Sequence, residues 1–263
     1  MKAKNKFIVA IDEGTSSSRA ILFNIKGQSL FKSQLEFKQY FPKEGWVEHD
    51  PEEIWKKTKK VLLDVINKSR ELKGEILTIG ITNQRETTIL WDQKTGKPVY
   101  NAIVWQDRRT ADFCKKYHSN KKERLIKKKT GLLIDPYFSG TKIKWILDNV
   151  PKAKKLLKKE QLLFGTIDTF LLWRLTKGKT HATDATNASR TMLYNINTNE
   201  WDDQILKSLK IPSHILPEIK NSSDYFGNTH VSITEKSYPI TGVVGDQQAA
   251  TIGQCCFKKG SVK

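Results

Sequence analysis

Residues 7–24, FIVAIDEGTSSSRAILFN, decide how the chain is read. An apolar run from Phe7 to Ile11 meets two acids, Asp12 and Glu13, and after Gly14 come four hydroxyls, Thr15 to Ser18. Arg19 then opens a second apolar run. Two apolar runs joined by a short polar stretch with a glycine predict a hairpin, with strands over 7–12 and 18–25. A third strand over 28–37 follows the turn IKGQ, so the chain begins as an antiparallel meander. A carboxylate at a strand end beside NH and OH donors suits magnesium and phosphate. The acid holds the metal through water, and turn amides and hydroxyls donate to phosphate oxygens. Asp12 is the candidate metal residue, and Thr15, Ser16, Ser17 and Arg19 are the candidate phosphate residues. On spacing alone, an ordinary polar hairpin tip fits this stretch better. No Walker A sequence and no GxGxxG occurs, which removes the two commonest nucleotide loops.

Past the meander, HDPEEIWKKTKKVLLDVINKS (residues 49–69) predicts a helix. Asp50 suits the N-cap, Pro51 the first helical position, and Glu53 a capping box. Ile54, Thr58, Val61, Leu62, Val65 and Ile66 fall on one face. ILTIGITN (76–83) reads as a strand buried on both faces, and TTILWD (87–92) as another. Residues 109–176 alternate helical pieces with connectors and close on an amphipathic helix, TIDTFLLWRLT, ended by the Gly-Lys at 178–179. Residues 180–240 are rich in Thr, Asn, Ser and Pro and predict loops and short elements. YPITGVVGDQQAATIGQ (238–254) repeats the opening grammar, a strand, then Gly-Asp, then small residues entering a helix.

Composition bounds the function. The 263 residues are 38% hydrophobic and 28% charged, as in a globular protein large enough to bury a core. No stretch approaches the roughly 18 apolar residues of a membrane helix, and the N-terminal apolar run is too short for a signal peptide. The three cysteines, two of them adjacent, make neither a disulfide framework nor a zinc knuckle, and the expected location is the cytoplasm. A net charge of +18 invites a nucleic-acid reading. The excess is lysine, with only eight arginines, in runs that read as solvated helix faces, so no nucleic-acid partner is expected.

Two further stretches carry polar chemistry. NQRETT (83–88) follows the predicted buried strand and offers Arg85 and Glu86 side by side. A small polyol needs donor and acceptor together, because each hydroxyl does both. A surface ion pair is the plainer alternative. In GVVGDQQAA (242–250), Asp246 stands between a strand and a helix start, where a carboxylate can take the proton of an attacking hydroxyl or simply cap the helix. Gln247 can add a polar contact. Trp105 and Tyr137, each beside small polar groups, can wall a pocket or lie in the core.

Together, IDEGTSSSRA, GITNQRETTILWD, NAIVWQDRRT, TGLLIDPYFSGTKIKWILD, THATDATNASRTMLYNI and TGVVGDQQAA, in this order, resemble the FGGY carbohydrate kinases, in their glycerol-phosphorylating branch. The resemblance implies an α/β chain of the ribonuclease H-like, actin-like ATPase fold, with a mixed sheet whose three-strand meander is flanked by helices. It implies an N-terminal kinase domain over residues 1–252 and the start of a C-terminal ATPase domain over 253–263. It implies ATP-dependent phosphorylation of glycerol to sn-glycerol 3-phosphate, with ATP and Mg2+ as cofactors. Arg85, Glu86, Trp105, Tyr137, Asp246 and Gln247 would bind glycerol, with Asp246 as general base. Asp12, with Asp246, would place Mg2+, and Thr15, Ser16, Ser17 and Arg19 would line the phosphate site. A homo-oligomer is implied for the full-length protein, and no membrane insertion. Family members are about twice this length, so the chain is expected to be a fragment with impaired activity. HVSITEKSYP, before the Gly-Asp segment, lacks the Gly and Arg with which some members bind fructose 1,6-bisphosphate, so that inhibition is not expected. A kinase for another polyol or sugar, and a non-catalytic binding module, remain open.

Overall fold

The computed structural model describes residues 5–263. Its centre is the predicted meander: strands β1 (Asn5–Glu13), β2 (Ser17–Asn24) and β3 (Ser29–Glu36) pair antiparallel in turn. Strand β4 (Gly74–Asn83) adds parallel to β1, and the late strand Ile240–Gly245 adds parallel to β4. The result is a five-stranded mixed sheet in which the three parallel strands lie side by side at one edge. Helix α1 (Pro51–Glu71) makes the crossover from β3 to β4.

The sequence signals for α1 are used almost as written. The Asp50 carboxylate accepts from the Glu52 amide at 2.8 Å, and Pro51 starts the helix. The return bond from Glu53 is absent among the hydrogen bonds of the described residues, and Glu52 instead holds Arg174 through both oxygens at 2.8 and 2.9 Å. The predicted face, Ile54, Thr58, Val61, Leu62, Val65 and Ile66, is buried. It packs on Phe7, Val9, Ile11, Ala20 and Leu22 of the meander and on Ile79 and Ile81 of β4.

Two expectations change. β4 is not buried on both faces: Ile76, Ile79 and Ile81 are buried, but Leu77 is 38% exposed, as is its neighbour Ile8 in β1 at 37%. α1 covers one face of the sheet, and among the described residues no helix covers the other equally. The second change concerns the segment 166–176. It forms a helix over Ile167–Leu175, but that helix is buried nearly all round and not amphipathic. It lies between two apolar clusters: Leu172 and Leu175 pack with the main sheet, while Ile167, Phe170 and Leu171 pack with Trp91 and Ile89. A helix enclosed on both sides has no polar stripe to show.

The rest of the chain forms a second mass of core around strand β5 (Ile89–Asp92), antiparallel to strand β6 (Leu162–Gly165). Helices Ala111–Tyr117, Asn120–Thr130, Ser139–Asn149 and Asp203–Leu209 pack around it through Ile126, Ile143, Ile146, Leu206 and their neighbours. The lysine runs lie where expected: Asn120–Thr130 buries only Ile126 and Thr130 and turns its lysines outward. No helix among the described residues is long and apolar enough to cross a membrane.

Gly165 shows how tightly the two masses join. A Cβ there would meet Thr169 Cβ at 2.6 Å and the Trp91 ring at 2.9 Å. Gly165→Ala is expected to destabilise the chain by about 1–3 kcal/mol through overpacking, read as a lower midpoint in urea with an unchanged slope.

Candidate active site

The parallel strands β1, β4 and Ile240–Gly245 end at the same sheet edge, with Glu13 opposite Asn83 and Asn83 opposite Gly245. Every predicted polar stretch from those strands therefore emerges in one place.

At the hairpin tip the Gly14 amide donates to the Ser17 carbonyl at 3.0 Å, closing the turn. Asp12 lies opposite Arg19, and their side chains meet at 3.2 Å. Burial pushes the Asp12 carboxyl above its usual value, Arg19 pulls it down, and the charge of Asp246 pushes it up again. The phosphate candidates divide by accessibility. Ser16 is exposed, Thr15 half-buried, and Ser17 buried, its hydroxyl accepting from Gln34 at 3.0 Å. Arg19 Nε also donates to Gln34, at 3.2 Å. Beneath the tip, Glu13 is fully buried and accepts from Ser18 at 2.9 Å and Thr58 at 2.8 Å. Burial pushes its carboxyl up to about 8.

At the end of β4, Arg85 and Glu86 are buried at 5% and 2% exposure, which removes the surface ion-pair alternative. The Glu86 backbone takes a left-handed φ of 63°, and its carbonyl accepts from Ser139 at 3.0 Å and Thr88 at 3.1 Å. Left-handed backbone is costly for a residue with a side chain, so it needs such external fixing. Arg85 reaches the other way. Its Nε lies 3.5 Å from Asp246 yet has no hydrogen-bond partner among the described residues. A buried guanidinium with unused donors is expensive, and this one is aimed at the carboxylate expected to be the base.

Asp246 is not the cap of its helix, Asp246–Gly253. Gly245 holds that position, leaving the carboxylate half-exposed and bonded to the Gln247 amide at 2.7 Å. Gly245 must be glycine: a Cβ would meet Arg85 Cδ at 2.3 Å. Its amide donates to Thr186 at 2.7 Å, and Thr186 in turn donates to Asp184 at 2.7 Å. Gln247 is exposed beside Asp246. Trp105 and Tyr137 meet edge to face, ring centres 5.7 Å apart, and form one wall. Trp105 Nε1 donates to Thr15 Oγ1 at 3.1 Å, so the wall is tied directly to the hairpin.

Three groups escaped the sequence reading. Arg190 donates to Glu86 at 2.7 Å and lies over the Tyr137 ring at 5.4 Å. It draws the Glu86 carboxyl down against burial, which is the larger effect and leaves it raised. Arg109 is enclosed, paired with Glu48 at 2.7 Å and Asp107 at 2.9 Å, and lies 3.8 Å over Trp46. Asp107 also accepts from the Val47 amide, so this cluster pins the Trp105 loop. Lys142 is wholly buried. All three lie inside stretches legible as motifs, but nothing in spacing says that Arg190 meets Glu86 across 104 positions or that folding encloses Arg109 and Lys142.

Among the described residues no group of three or more His, Cys, Asp or Glu could cage a metal. Two carboxylates of which one raises the other suit a cation that keeps several waters and takes its remaining ligands from a phosphate, as Mg2+ does.

Comparison with known proteins places the chain. Residues 7–253 match the model of the FGGY family of carbohydrate kinases, N-terminal domain. The chain belongs to this family. A glycerol kinase of Petrotoga mobilis is 56% identical over 98% of this chain and 52% of its own length. One of Sinorhizobium fredii is 57% identical over the same shares. The crystal structure of Plasmodium falciparum glycerol kinase with ADP superposes with a TM-score of 0.94 at 38% identity, covering 98% of this chain and 52% of that one. A xylulose kinase of Lactobacillus acidophilus, at 24% identity, shares the fold with a TM-score of 0.83. The chain thus has the actin-like ATPase fold of the FGGY kinases, and it spans about half the length of the curated relatives it matches.

Glu13 makes the site's electrostatics measurable. Its carboxyl is protonated when folded up to about 8 but ionises near 4.5 when unfolded, so stability falls as pH rises through that window and levels off above it. Glu13→Gln is expected to flatten the slope of unfolding free energy between about pH 5 and 8, measured by urea denaturation at each pH.

Proposed function

We propose that this chain is the substrate-side half of an ATP-dependent glycerol kinase, transferring a phosphoryl group to glycerol to give sn-glycerol 3-phosphate. The observation that carries the reading is Arg85: a buried guanidinium with an orphaned donor, held between an oriented acid, Glu86, and an accessible one, Asp246. A vicinal polyol satisfies that set. Its hydroxyl oxygens accept from Arg85, its protons go to Glu86, and its carbon edge lies on Trp105 and Tyr137. An analogue lacking a hydroxyl leaves buried groups unpaired and is rejected. The likeness to glycerol kinases at more than half identity supports glycerol over other polyols.

Asp246 takes the proton of the terminal hydroxyl as it attacks. Its half-exposed carboxylate lies beside Arg85 and is steadied by the Gln247 amide. Gln247 adds a polar contact to the same hydroxyl. On the other side, the Gly14 turn, with Thr15, Ser16, Ser17 and Arg19, receives the phosphates of ATP. The exposed Ser16 is best placed to donate, and Arg19 is already half committed to Asp12. Asp12, with help from Asp246, would hold Mg2+, which would neutralise charge at the phosphates. Phosphoryl transfer has a loose transition state, so placement of acceptor and phosphate, more than covalent chemistry, sets the rate.

Residues 1–252 form the N-terminal kinase domain in this reading, and 253–263 lead into a C-terminal ATPase domain. Turnover then belongs to a chain of the relatives' full length, in the cytoplasm and as a homo-oligomer, and the 263-residue chain alone turns over weakly. The test is glycerol-dependent ADP release from Mg-ATP by this chain and by one of full length. Full-length protein is expected to turn over. Asp246→Asn is expected to lower kcat about 10²–10⁴-fold with KM for glycerol little changed. Full-length protein that is folded but inert toward glycerol overturns the reading.

A further inference from the structure

Lys142 is a wholly buried charged group of the site to which the scheme above gives no task. It lies in the first turn of helix Ser139–Asn149 at 0% exposure, among the largest fully buried side chains. Among the described residues it has no ion pair within 4 Å; its Nζ donates to the Tyr137 carbonyl. That carbonyl belongs to the residue whose ring meets Trp105 edge to face. The Tyr137 amide is held from the other side by the Asp135 carboxylate at 2.8 Å, so the peptide that carries the wall is clamped at both ends by charged side chains. The groups that face the ammonium are Glu86 from the loop after β4, Asp107 from the Trp105 loop, Asp135 from the loop before the helix, and the Cys114 thiol from helix Ala111–Tyr117. Cys114 is itself pushed up to about 11 and stays neutral.

We propose that Lys142 is a positioning residue that fixes Tyr137 through its carbonyl and places a positive charge near Glu86, so that polyol binding depends on whether Lys142 is charged. This rests on the polyol-site reading above. A lysine wholly removed from water, with one acceptor for three donors, holds its proton weakly. Burial brings this amine down to about 7, with Glu86, Asp107 and Asp135 resisting. Below that value the charged donor makes a charge-assisted bond to the carbonyl, roughly twice as strong as the neutral amine can make. Above it the bond weakens, and Glu86 loses a cation that favours its ionised, hydroxyl-accepting form. Polyol affinity therefore falls as pH rises through neutrality, and bound polyol raises the proton affinity of Lys142 by the same linkage.

The experiment follows one pH titration at three points on the 263-residue chain: the Lys142 ε-carbon, the Tyr137 carbonyl carbon, and the glycerol dissociation constant by calorimetry. The two carbon signals are expected to move together near pH 7, and the dissociation constant to rise about threefold or more from about pH 6 to 8.5. Lys142→Arg keeps its charge and is expected to bind with no such rise. Lys142→Met is expected to bind weakly at every pH, with its melting temperature reporting whether it folds. A Lys142 signal titrating near the ordinary lysine value of about 10.4, or a Lys142→Arg chain that keeps the wild-type pH dependence, overturns the proposal. If no form of the chain binds glycerol, the polyol reading is what fails. The positioning of Tyr137 is then still decided by whether the two carbon signals titrate together.

Discussion

Three parallel strands that end together are the constraint from which the site follows. β1, β4 and Ile240–Gly245 are hydrogen-bonded neighbours, and their registers bring Glu13, Asn83 and Gly245 into one row. Side chains a few residues beyond each strand end then converge, whatever their separation in sequence. Open α/β sheets place ligands outside the carboxyl ends of their parallel strands for this reason. α1 and the helix Ile167–Leu175 hold those strands from one face. The ends are locked to one another by side chains: Asn83 donates to Asn187 at 3.0 Å and Gln84 to the Gly14 carbonyl at 2.9 Å.

Charge inside this row is held by partners that differ for each acid. Glu13 is screened from water and bonded only to hydroxyls, so it keeps its proton. Asp12, one residue earlier on the opposite face of the strand, has Arg19. Glu86 has Arg190, and Asp246 has only the edge of Arg85. Side chains alternate across a strand, so adjacent acids meet different surroundings: Glu13 is enclosed among hydroxyls, while Asp12 lies beside Arg19 and is part exposed.

Much of this was legible in the sequence, because it depends on local periodicity. The meander, α1 with its cap, and the strand–Gly-Asp–helix turn are written in short-range patterns of two or of three and four residues, and the fold follows them. The two misread elements both depend on distant neighbours. Ile167–Leu175 is enclosed by Trp91 on one side and the main sheet on the other, and β4 is half open where a long apolar run suggested full cover. The site divides in the same way. Residues next to a strand end, Asp12, Arg85, Glu86 and Asp246, could be proposed from the chain. Arg190 and Lys142 act on residues that a linear pattern does not join to them, since Arg190 reaches Glu86 across 104 positions. Arg109 stands two places from Asp107, but only folding encloses the pair and surrounds it with Trp46, Tyr100 and Trp145.

The fit of Gly245 against Arg85 has a mechanical consequence. The last residue of the strand and the aliphatic stem of the arginine share a gap that would not admit one more carbon. The acid that follows that residue and the guanidinium at the end of that stem are therefore geared together. A shift of the strand end along its axis moves Asp246 and displaces Arg85 in the same stroke. The Asp246 carboxylate and the Arg85 guanidinium then hold their spacing under thermal motion, with no bond between them closer than 3.5 Å. Alignment at this point is kept by exclusion of volume, which neither salt nor pH weakens.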